Sequence, residues 1–213
     1  MQRLLLVPLA LVVPAASATA QSGTSTARPA ATRSAGAAAT GAPAAGAARL
    51  RFVVAPTGNE ARYRVRELLV GRELENDVVG KTAAVSGRLV VEPNGTVIRD
   101  SSKIVVQVAT LASDQTRRDN YLRRRTLESE KYPTVELVPF TFQGISSPLA
   151  PGQTANFTLV GNMTIHGVTR PTTWQVTARG DGRDVVGTAK TAFTFKDFQL
   201  EQPKVPIVLS VAD

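Results

Sequence analysis

The sequence predicts an all-β fold, an antiparallel sandwich or barrel of about eight short strands. Apolar and polar residues alternate with period two in segment after segment, and turn-forming clusters separate those segments. Only one stretch, around residues 114–127, has the character of a helix, and no helical stripe is long enough for the crossover a parallel sheet requires.

The strands follow in order. Arg51-Phe52-Val53-Val54-Ala55 ends at the turn cluster Pro56-Thr57-Gly58-Asn59, and Ala61 to Arg66 then alternates apolar with charged residues, leaving one face buried and one wet. Ala83 to Val91 closes at Glu92-Pro93-Asn94-Gly95, where Asn-Gly is a hairpin signal. Lys103 to Val108 puts Ile104, Val106 and Val108 on one side. Phe157, Leu159, Met163 and Ile165 share one parity, His166-Gly167 marks a turn, and Trp174, Val176 and Ala178 repeat the alternation on the return. Phe193 and Phe195 come next, and Val205, Ile207, Leu209 and Val211 close the chain at strict period two. Glu73, Glu75 and Asp77 read as a short solvated acidic loop.

The helical stretch is unusually basic. Ser113 is the expected N-cap, Asp114 sits in the first turn where the helix dipole favours negative charge, and Pro133 sets the stop. Spacing of i,i+4 predicts pairing of Asp114 with Arg118 and of Asp119 with Arg123. Tyr121, Leu122 and Leu127 are its large apolar groups, so it docks across one end of the domain without being engulfed. A nucleic-acid site would bring stacking aromatics to such a cluster, and aromatic content is 5%. No nucleic-acid partner is expected.

Composition divides the chain. Met1-Gln2-Arg3, the apolar run from Leu4 to Val13 and the small residues Ala18-Thr19-Ala20 predict a secretory signal peptide over residues 1–20. That run is shorter than the roughly 20 residues of a membrane span. Residues 21–48, dominated by Ala, Gly, Thr, Ser and Pro, cannot bury enough apolar surface to offset their ordering entropy and are expected to form a disordered linker. Residues 49–213 are left as a single domain, expected to be periplasmic or secreted. Cysteine is absent, so the core must stand without disulfides. Of the formal charge of +8, four positive charges (Arg3, Arg28, Arg33, Arg49) lie before Arg51 with no acidic residue among them, which leaves +4 for the rest. A balance that mild speaks for solubility and a weak attraction to anionic surfaces.

Catalytic and metal chemistry find little footing. The single histidine, His166, stands in a turn with no cysteine or acidic cluster beside it, whereas a zinc site needs three or four ligands. No nucleophile is paired with a general base, and no Gly-rich phosphate loop is present, so no enzyme, metal or cofactor is expected.

A family resemblance rests on three motifs. Arg118-Asp119-Asn120-Tyr121-Leu122-Arg123, then Glu130-Lys131-Tyr132-Pro133-Thr134-Val135, then Leu159-Val160-Gly161-Asn162-Met163-Thr164-Ile165-His166-Gly167-Val168-Thr169-Arg170 resemble, in order and spacing, the YceI-like family of bacterial polyisoprenoid-binding proteins. Phe195-Lys196-Asp197-Phe198 is similar to that family's aromatic segment before the last strand. The resemblance implies a lipocalin-like barrel that holds a long isoprenoid chain, a polyprenol or quinone-type tail. The chain departs from the family pattern where relatives carry histidines: Tyr121 stands in the helix position, and residues 56–67 contain none.

With that ligand in view, parity alone nominates Tyr63, Val65, Val106, Leu137, Phe157, Leu159, Met163, Ile165, Trp174, Val176, Phe193 and Phe195 as lining residues. Arg118, Arg123, Arg124 and Arg125 are the candidates for a head group or an anionic lipid surface. Ten buried carbons at about 0.8 kcal/mol each would supply on the order of 8 kcal/mol before ordering losses. The competing expectation is a barrel with a filled core serving as an envelope stress or interaction protein. A homodimer stays open, since nothing in the sequence marks an interface.

Overall fold

The structure, a computed structural model, describes residues 4–6, 49–69, 76–145, 149–203 and 208–211. The expected signal peptide and linker lie outside these residues apart from Leu4–Leu6, as do Glu73 and Glu75. The strands are β1 (Leu4–Leu6), β2 (Leu50–Val53), β3 (Ala61–Leu69), β4 (Asn76–Thr82), β5 (Val85–Val91) and β6 (Lys103–Gln107). After helix α1 (Thr116–Tyr121) come β7 (Thr134–Gln143), β8 (Thr154–Ile165), β9 (Val168–Asp181), β10 (Asp184–Phe193) and β11 (Val208–Val211).

The fold is all-β and antiparallel. Consecutive pairing in the order β10-β9-β8-β7-β6-β5-β2 makes a sheet that curls into a half-barrel. Its inner face carries the period-two apolar residues and its outer face the polar ones. At one edge β1 lies between β10 and β3, with Leu5 opposite both Ala192 and Arg64, while β3 also pairs with β4 and β11. Eleven strands are seen among the described residues against about eight expected. Part of the excess is β4: Asp77 belongs to this strand and pairs with Arg64 instead of sitting in an acidic loop.

Tight turns hold the long strands in register. β8 and β9 meet across His166 and Gly167, both at positive φ (51° and 74°), the pairing that a two-residue primed turn demands. The Asn94-Gly95 turn forms as expected, with Gly95 N donating to Glu92 O at 2.9 Å. In β7 the register with β8 shifts between Pro139 and Thr141, a bulge at a mid-strand proline. Residues with odd numbers face inward before it, and Phe142 faces inward after it.

The helical stretch differs in detail from its sequence reading. α1 begins at Thr116 with Gln115 at the N-cap and no side-chain capping bond, and it runs on into a π-helical turn over Leu122–Thr126. Ser113 instead serves Asp119, whose carboxylate accepts the Ser113 amide (2.9 and 3.0 Å) and hydroxyl (2.6 Å). Arg123 donates instead to Leu111 O and Asn120 Oδ1, both at 2.8 Å. The pair of Arg118 with Asp114 does form, at 2.5 Å.

Candidate binding cavity

Layer by layer, the inner face of the half-barrel changes character along its axis. On β8, Met163 and Ile165 are fully packed while Phe157 and Leu159 are half-buried. β10 repeats the change, with Phe193 and Thr191 buried and Val185 and Ala189 half-buried. Trp174 on β9 stands at the boundary, belonging both to the core cluster and to the wall of an open cavity. One half of the interior is filled and the other is not.

The unfilled half is a cavity of about 180 Å³ between the β2–β5 pair and the β9–β10 pair. Leu50, Phe52, Leu89 and Val91 form one wall, Val176, Ala178, Val185 and Ala189 the other, and Ile104, Leu137, Pro139, Phe142, Phe157, Leu159 and Trp174 the back. Phe142 and Phe157 meet edge to face at 5.5 Å, a geometry that ring quadrupoles favour. Among the described residues Glu92 is the only ionisable side chain on the wall, and Arg49 pairs with it at 3.0 Å. The Trp174 indole N–H is spent on Thr172 Oγ1 at 3.0 Å, and Thr172 donates in turn to Gly161 O at 3.2 Å. Trp174 thus offers the cavity its ring and no donor.

The mouth lies at the end where β7 finishes and β8 begins, beside Gly95, Ile145 and Leu149. α1 sits at the opposite end, between the end of β6 and the start of β7. The ten residues of β7 separate the two ends by roughly 30 Å at about 3.4 Å per residue. There the Asp119–Ser113 clasp closes the structure, and His166 Nε2 lies 2.9 Å from Glu128 Oε2 with the Tyr132 ring 4.4 Å from the imidazole. Among the described residues no cluster of His, Cys, Asp and Glu has the makings of a metal site, and no helix is long and apolar enough to cross a membrane.

A model of the YceI-like domain matches residues 52–213. The chain belongs to the YceI-like family. Curated relatives of this YceI-like chain include the UPF0312 proteins of Pseudomonas putida W619 and Pseudomonas fluorescens SBW25, each 31% identical over 113 residues. Those matches cover 49% of this chain and 55% of each relative, so the chain spans about half the length of the curated relatives it matches. Among solved structures, the Campylobacter jejuni YCEI protein is similar over 62% of this chain and 78% of its own (16% identity, TM-score 0.45). A polyisoprenoid-binding domain from Saccharophagus degradans is similar over 63% of this chain and 94% of its own (9% identity, TM-score 0.42).

Within this YceI-like domain the residues chosen by parity divide between the two halves. Leu137, Phe157, Leu159, Trp174 and Val176 stand on the cavity wall. Met163, Ile165 and Phe193 lie in the packed core, with Val65 and Val106 against it, and Phe195 is buried at its edge. Tyr63 lies at the helix end, close enough to Asp119 for its phenol to feel that charge. Arg118 and Arg123 are tied into the helix end, and Arg124 and Arg125 are exposed there, remote from the mouth. Sequence reading missed Leu50, Phe52, Leu89, Phe142, Val185 and Ala189. Leu89, Val185 and Ala189 carry the period-two signal, but Phe142 is displaced by the bulge, for which Pro139 is the only sequence marker.

Proposed function

We propose that this YceI-like protein is a non-catalytic carrier that takes an isoprenoid-type apolar chain into the open half of its barrel, acting in the periplasm or outside the cell. The observation that carries the reading is the cavity wall, aliphatic and aromatic on every side with a single, already paired carboxylate. Such a wall gains free energy from each methylene it shields and has no means of activating a bond. Among the described residues Glu92 and Thr188 are its only ionisable and hydroxyl-bearing side chains, and neither is accompanied there by a base or a nucleophile. Export is supported by the leader-like residues 1–20, and transient contact with an anionic membrane surface by exposed Arg124 and Arg125.

The reading is tested by native mass spectrometry of the full chain purified after expression in a bacterium, followed by organic extraction. A discrete added mass that extracts as a prenyl lipid is the expected result. Bare protein whose thermal midpoint also ignores added prenyl quinone overturns the reading in favour of a barrel that holds nothing, since any ligand of the native state must raise that midpoint.

A further inference from the structure

Three features of the cavity, taken together, say which part of a ligand it reads. Its floor is closed: behind Leu137 and Trp174 come Met163 and Phe198, both with no exposed surface, so nothing passes through to the helix end. Its volume is small, about 180 Å³, against the roughly 150 Å³ of an apolar cavity that holds one benzene. Finally, the polar side chains it offers a head group are few: the Trp174 N–H is spent on Thr172, Glu92 at the rim is an acceptor paired with Arg49, and Thr188 brings one hydroxyl.

We infer that the cavity reads the free end of an apolar chain: the terminal one or two isoprene units enter tail first, and the rest of the chain and its head group stay outside, unrecognised. This rests on the carrier reading and narrows it. An isoprene unit has five carbons to benzene's six, so a space of this size above a closed floor is filled by one unit and part of a second. Carbons beyond that remain in water or against other surfaces and add nothing to affinity. At the rim the Glu92 carboxylate and the Arg49 guanidinium neutralise each other, and the basic residues 117, 118 and 123–125 cluster at the far end, out of a diphosphate's reach.

Trp174, the only tryptophan in the chain, is a built-in reporter on the cavity wall. The full chain is titrated with geraniol, farnesol, geranylgeraniol and farnesyl diphosphate while its emission is followed. Each methylene that becomes buried multiplies affinity about fourfold, so a site that swallowed the whole chain would gain more than a hundredfold from farnesol to geranylgeraniol. The expected result is a gain of less than fivefold between those two, and farnesyl diphosphate binding no more tightly than farnesol. A gain of fivefold or more with length, or a diphosphate that binds at least fivefold more tightly than the alcohol, overturns the inference and leaves the carrier reading standing. Silence from all four probes, with an unmoved thermal midpoint, overturns both.

Discussion

Asp119 is buried yet ionisable, and its cost is met by the three contacts it accepts from Ser113. Those bonds close the loop that leads into α1, doing from within the helix what a capping side chain does from in front of it. Asp119→Ala leaves the Ser113 amide and hydroxyl without their acceptor, and we expect a loss of about 2 kcal/mol, read as a lower urea midpoint at unchanged slope. Tyr63 feels the same site. Burial pushes its phenol from 10.0 up to about 12, and the negative charge of Asp119 adds to the effect. Because the folded value is the higher one, the stabilisation is complete below pH 10 and is lost as pH rises towards about 12. Wild type should therefore lose stability relative to Tyr63→Phe across that window, by on the order of 2 kcal/mol at its upper end. Urea titrations of both proteins at pH 9 and pH 12 check it, and parallel losses would show that the phenol is not responsible.

Single elements carry strains and tight fits of their own. Gln199, exposed at the end of the turn Lys196–Phe198, is held at φ 53° where a side chain is disfavoured. Gln199→Gly should raise stability by about 1 kcal/mol, seen as a higher thermal midpoint. Gly161 on β8 is the reverse case: a Cβ there would lie 2.8 Å from Val138 O and 3.0 Å from Pro139 Cα, both backbone atoms of β7. Gly161→Ala should cost about 1–3 kcal/mol, and an unchanged midpoint would mean that β7 gives way. The same pair of strands shows what the sequence can express about an element. Alternation over Phe157, Leu159, Met163 and Ile165 was enough to place β8 and its inward face. β7 was harder, because the bulge at Pro139 swaps the parity of everything after it, and parity counted across a bulge puts Phe142 on the wrong side. β4 was missed for another reason: Asp77 pairs with Arg64 on the next strand, and such a cross-strand partner is invisible to a reading of consecutive residues.

At the scale of the whole molecule, parity says which side of the sheet a residue faces but not how far along the barrel it lies. Leu159 and Met163 have the same parity and similar chemistry, yet one lines open space and the other is sealed. What separates them is the set of neighbours brought in from β7, β9, β10 and the segment around Phe198, which is a property of the assembled fold. Met163→Ala should test that boundary directly. It should cost about 2–5 kcal/mol, and by deepening the floor it should restore a gain in affinity from farnesol to geranylgeraniol. A variant that loses stability without that gain would place the floor elsewhere.

The packed end has a kinetic consequence as well as an energetic one. On the carrier reading, an interior packed shut at one end is a vessel and not a conduit: cargo leaves by the route it came, the last carbon in is the first out, and a loaded molecule bars entry to a second guest. Donor and acceptor must then dock in turn at the rim beside Gly95, Ile145 and Leu149. Delivery by such a protein is a sequence of separate visits, and its pace is set by how often the doorway is free.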